Sequence, residues 1–334
     1  MKTKKKLSVM PFIPFINIVT IIVIMAILTA GKTLRPSNWM TILEQSITVI
    51  VGGIGAIFVM TTGSVDFSIG SLACMAGMCA SMWAMKYGLF VMFLMAIGVG
   101  LLSGLFFGTA TSRFKVPSFM VGVALQNGYR GFIAYYLADG QILATQQVLN
   151  FDRMSIKLPV AVVLVIITWY VFEYTRYGKY LKAMGENEKC ARVSGINTDR
   201  MRRIAYLISG TMAGICGIFF LARVGGMSTQ IGRGLEMRAL LAFILGGAAI
   251  GGGFSTKMYK MVLGGLSVII LENGMTIAGI TGGAYQIVEA VLLVGVIAIN
   301  RLLTNKAILR DELESKRLKA EAEAAEAAAA AQGA

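Results

Sequence analysis

Leu89–Thr111 reads LFVMFLMAIGVGLLSGLFFGTAT, 23 residues without a charged side chain. At 1.5 Å per residue such a helix reaches about 35 Å, enough to cross a hydrocarbon core about 30 Å thick. The stretch is typical of its surroundings. Over 334 residues the chain is 56% hydrophobic and 14% charged, with a mean hydropathy of +0.72. A water-soluble fold with so few charges would expose large apolar patches. Lipid is therefore the solvent for most of the surface.

Working outward, further apolar runs lie at Phe12–Ala30, Met40–Met60, Ser68–Met85, Phe119–Leu137, Leu158–Phe172, Ile204–Leu221, Glu236–Gly251, Met261–Ile280 and Ala284–Ile299. With Leu89–Thr111 they predict an all-α membrane protein of about ten transmembrane helices. Lys2–Lys6 followed by Phe12–Ala30 imitates a secretory signal, with Leu28-Thr29-Ala30-Gly31 as a cleavage site, but the run is long for one and more spans follow. It is read as an uncleaved first span.

Alternating sides from a cytoplasmic N-terminus puts 22 of the 31 Lys and Arg in cytoplasmic segments, chiefly Lys2–Lys6, Arg176–Arg203 and Arg301–Lys319. That bias follows the positive-inside rule and requires an even number of spans. The expected organisation is a cytoplasmic N-terminus over 1–11, a transmembrane domain over 12–303 with a cytoplasmic loop at 174–203, and a charged, Ala-rich cytoplasmic tail over 304–334. Both termini are expected inside a multi-pass cytoplasmic (inner) membrane protein.

Glycine is frequent, 39 residues, about 12% against a usual 7%. Gly100-x-x-x-Gly104-x-x-x-Gly108 and Gly210-x-x-x-Gly214 place small residues on one face, where membrane helices approach closely, either within the chain or between two copies. The segments Thr62–Gly70, Gly246-Gly247 and Gly251–Gly253 interrupt the apolar pattern. They are either surface turns or broken helices, which mark solute paths in transporters.

Asp66, Glu44, Arg130, Glu236, Arg238, Glu272 and Glu289 lie in or at the ends of spans. They should face the bundle interior, a cavity or one another. Glu272 and Glu289 sit deepest and admit either proton coupling or structural pairing, whereas Glu236 and Arg238 stand near a span end in reach of water.

Histidine is absent, which removes His relays, His–metal sites and Ser–His catalysis. Cys74, Cys79, Cys190 and Cys216 have neither zinc nor disulfide spacing. Gly31-Lys32-Thr33 lacks the first glycine of a phosphate loop, that position being Ala26. No metal or cofactor site, no nucleotide site and no nucleic-acid surface is read here, and an intramembrane enzyme lacks a recognisable constellation.

The segment Thr175–Asn197 reads TRYGKYLKAMGENEKCARVSGIN. Gly185-Glu186-Asn187 predicts a turn, Glu188–Val193 a short helix, and Gly195 its stop. This segment closely resembles the cytoplasmic loop of ribose/xylose-type ABC transporter permeases. The resemblance extends through Gly63–Ser71 (GSVDFSIGS), Val116–Phe119 (VPSF) with Arg130-Gly131, Leu245–Gly247 with Gly251-Gly252, and Asn273-Gly274, covering about Asn38 to Ile299. There are departures. The older importer signature is degenerate at Lys189-Cys190-Ala191-x-x-x-Gly195, Glu289 stands where relatives often carry a basic residue, and Glu272 is unusual beside Asn273.

The resemblance implies a permease subunit of an ATP-binding cassette importer that moves a monosaccharide or similar small polar solute and is not itself an enzyme. It implies an ABC ATPase, a periplasmic or lipid-anchored solute-binding protein and a second permease chain as partners. Ser64, Asp66, Phe67, Ser68, Arg130 and Asn273 are then expected along the substrate path. Gly185, Asn187, Glu188, Ala191, Arg192, Ser194 and Gly195 are expected in the ATPase-coupling loop, with Arg192 donating to a carboxylate on the ATPase. The alternative is an ion- or proton-coupled secondary transporter using Glu272 and Glu289.

Overall fold

A computed structural model describes residues 12–137, 140–249, 251–295 and 298. The expected N-terminal segment 1–11, the tail 304–334 and the last part of the tenth span lie outside these residues. The described residues up to Thr281 form one compact unit and a second begins at Gly282; its described part contains an apolar helix, Gly283–Gly295.

The first unit is built from α1 (Ile13–Leu28), α2 (Pro36–Met60), α3 (Ile69–Tyr87), α4 (Leu89–Ser112), α5 (Ser118–Tyr136), α6 (Gln146–Phe151), α7 (Met154–Tyr174), α8 (Arg176–Glu186), α9 (Glu188–Val193), α10 (Thr198–Val224), α11 (Leu235–Leu245) and α12 (Met258–Ile277). Two short strands, β1 (Ile142–Leu143) and β2 (Gly226–Met227), pair antiparallel. Among the described residues, α2, α4, α7, α10 and α12 are long and apolar enough to cross a membrane. The other expected spans each contain a helix that is shorter or less apolar.

Helices α2, α3, α4 and α10 form the centre. The glycine stripe acts within the chain: a Cβ on Gly100 would overlap the Gly210 carbonyl, one on Gly104 the Tyr206 carbonyl, and one on Gly214 the Ala96 carbonyl. Backbones this close leave room only for hydrogen, so α4 and α10 gain dispersion contact from Ala96 to Gly108 on one side and from Arg203 to Gly214 on the other. Phe107 stacks on Tyr206 at the end of that seam, ring centroids 4.1 Å apart.

The eighth expected span, Glu236–Gly251, is the main departure. Its helix α11 has 11 residues, about 17 Å, too short to cross alone. The residues before it are non-helical and run beside α3: Cys74 Sγ donates to the Ser228 carbonyl at 3.4 Å, and a Cβ on Gly70 would overlap the Gly232 carbonyl. Gly225, Gly232 and Gly234 have φ of 77°, 71° and 77°, values that side chains with a Cβ resist. The break therefore precedes α11 as well as following it at Gly246-Gly247.

The loop expected over 174–203 is mostly helical. Gly185 and Glu186 finish α8, and the turn is Asn187 alone. Four connections meet at one end of the bundle: the Thr61 carbonyl accepts from Gly253 N at 3.0 Å, Phe254 N donates to Glu186 at 2.8 Å, Lys257 pairs with Glu173 at 3.4 Å, and Lys115 pairs with Asp199. These connections fall on one side in the alternating count made from the sequence.

Candidate functional site

The segment between α2 and α3 is held by Asp66. Its Oδ1 accepts from Ser68 N at 2.9 Å and Ser68 Oγ at 2.6 Å, and its Oδ2 accepts from Ser209 Oγ of α10 at 3.3 Å. With three donors and 3% exposure, the carboxylate pins non-helical backbone to α10; it is not presented to solvent. Phe67 packs edge-on against Phe119 with centroids 5.4 Å apart. Ser64 lines a polar cavity of about 210 Å³ together with Thr111, Lys115, Ser118 and Arg202.

One face of α5 continues from this segment. Gly122 lies against Phe67 N, so that a Cβ there would stand 3.0 Å away. One turn on, Gln126 Nε2 donates to Glu236 Oε1 at 2.8 Å. After another turn, Arg130 Nη1 donates to the carbonyls of Thr229 and Ile231 at 3.2 and 2.9 Å. The i, i+4 spacing puts these groups in line. Arg130 thus satisfies backbone acceptors that the break before α11 leaves without helical partners.

The structure places Asp66, Phe67 and Ser68 between α3, α5 and α10, Ser64 at the cavity beside the α4–α5 connection, and Arg130 further along α5 beside the segment before α11. Asn273 sits elsewhere, on α12, where its Oδ1 accepts from Asn38 Nδ2 at 2.8 Å near the start of α2. The sequence reading did not name Gln126 or Ser209, and it marked Glu236 only as a charge near a span end. Glu236, placed there near water, is 7% exposed. The signal that could have found it is its position directly after Gly232 and Gly234.

At the end where the connections meet, α8 and α9 form a helical corner. Gly185 is wedged in: a Cβ would overlap both the Thr61 carbonyl and Gly253 N. Lys182 of α8 pairs with Glu173 at 2.6 Å. Burial pushes its ammonium below the usual lysine range, against the opposing pull of Glu173.

Helix α9 is capped at both ends. Asn187 Oδ1 accepts from Cys190 N at 3.0 Å. At the other end Gly195, φ +85°, donates to the Arg192 carbonyl at 3.1 Å while Ile196 N reaches the Ala191 carbonyl at 3.1 Å, the paired bonds of a Schellman stop. Ala191 faces inward. Glu188 accepts from Arg202 at 2.7 Å, and Arg192 Nη2 donates to Thr198 at 2.8 Å. Arg192, expected to reach outward, spends this nitrogen inside the chain. Lys189, Cys190, Val193 and Ser194 form the outward face, with Val193 89% exposed.

A family model described as branched-chain amino acid transport system / permease component matches residues 38–297. The ribose import permease protein of Escherichia coli (strain K12) is 28% identical, over 77% of this chain and 83% of that one. The galactofuranose transporter permease protein of the same strain is 29% identical, over 77% and 78%. The autoinducer 2 import system permease protein of Photorhabdus laumondii is 30% identical, over 69% and 71%. No solved structure matches the chain.

Proposed function

Because the chain belongs to the family of branched-chain amino acid transport system permease components, we propose that it is the membrane-spanning subunit of an ATP-binding cassette importer and carries a monosaccharide or similar small polar solute inward. It is a transport subunit, with ATP hydrolysis in a separate chain. The sugar class follows from relatives named for ribose and galactofuranose. The observation that carries the coupling is α9: a short helix, capped at both ends and braced by Arg202, that exposes Val193 at the end where four connections gather. An ATPase closing on ATP would grip this corner and favour one access state of the path.

In this reading the chain crosses the membrane ten times, with 12–303 as the membrane domain and both termini cytoplasmic. A solute-binding protein delivers from outside, and a second permease chain completes the path. Ser64, Phe67, Ser68 and Arg130 line or support it, Asp66 holds its backbone, and Asn273 contributes from α12. The coupling residues are Gly185, Asn187, Glu188, Ala191, Arg192, Ser194 and Gly195.

The test is uptake into sealed vesicles containing the chain with an ABC ATPase and solute-binding protein from the same source. ATP-dependent sugar accumulation that survives collapse of the proton and sodium gradients is expected. Uptake by the permease alone under either gradient would overturn the proposal in favour of secondary transport.

A further inference from the structure

Ser64, Lys115, Ser118 and Arg202 share the cavity of about 210 Å³ at the end of the bundle where the connections meet. One water occupies about 30 Å³ in the liquid, so there is room for a polyatomic ligand. Residues 115–117 line the cavity and are exposed, which opens it to solvent. Among the described residues, no carboxylate lines it. Helix α5 begins here without a side-chain cap, and the free N–H groups of a first turn favour an anion. The Tyr206 hydroxyl is buried beside Ser64 and Ser118, outside hydrogen-bond geometry with either. It can donate to them once they turn their own hydrogens towards a ligand.

The two cations of the cavity are also the ends of one chain of ion pairs. Lys115 meets Asp199, Asp199 meets Arg192 at 3.5 Å, Arg192 meets Glu188 at 3.5 Å, and Glu188 meets Arg202 at 2.7 Å. Three cations against two carboxylates leave one positive charge in excess. The Lys115–Asp199 pair is exposed, and such pairs hold weakly. Arg202 gives Nη2 to Glu188, and a guanidinium carries further N–H donors.

We propose that this cavity is a site for the phosphate group of a cytoplasmic anion, and that filling it slows transport. A phosphate monoester carries close to two negative charges near neutral pH and offers acceptors alone. It fits Lys115, Arg202, Ser118 and the first turn of α5, whereas a neutral sugar needs acceptors as well as donors. Bound there, it ties the α2–α3 segment and the start of α5 to α10. It also competes with Asp199 and Glu188 for the cations that brace α9. A ligand that holds one arrangement of these elements opposes any step that separates them. The importer reading supplies the cytoplasmic side and the effect on transport; the site itself stands on the cavity.

The first measurement is binding of radiolabelled inorganic phosphate and of D-ribose 5-phosphate to the purified chain in phosphatidylcholine nanodiscs. Saturable binding of at least one is expected, weakened about tenfold by Lys115→Gln and by Ser118→Ala. Binding of neither anion, or binding that both variants leave unchanged, overturns the proposal. So does displacement by an equal concentration of D-ribose, which would make the cavity part of a neutral solute path. Displacement by phosphatidylglycerol added to the discs, at an ionic strength that screens surface charge, supports the site with a lipid headgroup as its source. No displacement supports it with a soluble anion. The second measurement is ATP hydrolysis by the complete importer. The bound anion, at ten times its dissociation constant, should slow the wild type about tenfold and Lys115→Gln about twofold. Equal slowing would place the anion on the ATPase and overturn the link to transport. If no ATPase assembles with the chain, the importer reading falls while the binding result still decides the site.

Discussion

Arg238 of α11 reaches Glu272 of α12, with Nη2 2.7 Å from Oε1. Each side chain is about a quarter exposed. Of the two roles open to Glu272 in the sequence, this contact favours structural pairing. Glu272→Gln is expected to lower stability in detergent by about 1–3 kcal/mol, below the range for removing one partner of a fully buried pair. ATP-driven uptake by the surviving protein should persist and remain insensitive to a protonophore. Uptake abolished with unchanged melting would instead assign Glu272 to coupling.

Gly185 and Gly195 are required for different reasons, and valine separates them. At Gly185 a Cβ meets two backbone segments. Gly185→Val should therefore cost about 1–3 kcal/mol by overpacking and lower the amount of protein in the membrane. At Gly195 a Cβ meets nothing, but φ is +85°. Gly195→Val strains only the stop of α9, by about 1–2 kcal/mol. Its expected phenotype is normal insertion with weak ATPase binding in a pull-down and little uptake. Gly195→Asn, which tolerates that backbone better, should restore part of both. Equal loss of membrane protein in both valine variants would contradict this division.

Asp66→Asn keeps the shape of the side chain but puts an amide where Oδ2 accepts from Ser209. The expected result is a protein that inserts and assembles but takes up solute at a small fraction of the wild-type rate, because the tie between the α2–α3 segment and α10 is weakened. Ser209→Ala added to Asp66→Asn removes the remaining partner of this side chain on α10, because a serine hydroxyl can also accept from the amide, and should lower the rate at least as far as the single variant. Wild-type uptake by the single variant would take Asp66 out of the mechanism.

Topology can be checked with reporter fusions at Gln141, in the connection between α5 and α6, and at Ala334. The proposed ten crossings put these on opposite sides, with Ala334 cytoplasmic. Reports from one side would remove the ten-span arrangement.

The sequence by itself determined the solvent and the class. A 23-residue run without charge, repeated with variations along a chain with 14% charged residues, can only be stabilised in lipid. It also located the short helix Glu188–Val193 and its stop at Gly195, because capping residues act on their own backbone neighbours and need no distant partner. The flags at Asp66 and Arg130 came from the cost of charge in an apolar run, which is likewise local information.

Tertiary structure alone decided who meets whom. The stripe at Gly100, Gly104 and Gly108 was compatible with a second copy or with another helix of the same chain, and only the docking of α10 resolved it. Glu236 looked wet because its position in sequence is near the end of an apolar run. It is buried because the glycines before it let the backbone enter the bundle unwound, bringing Gln126 and Arg130 of α5 alongside. Periodicity reports the face a residue occupies on its own helix. Which face of another helix completes it is set by long-range packing, and no local pattern carries that information.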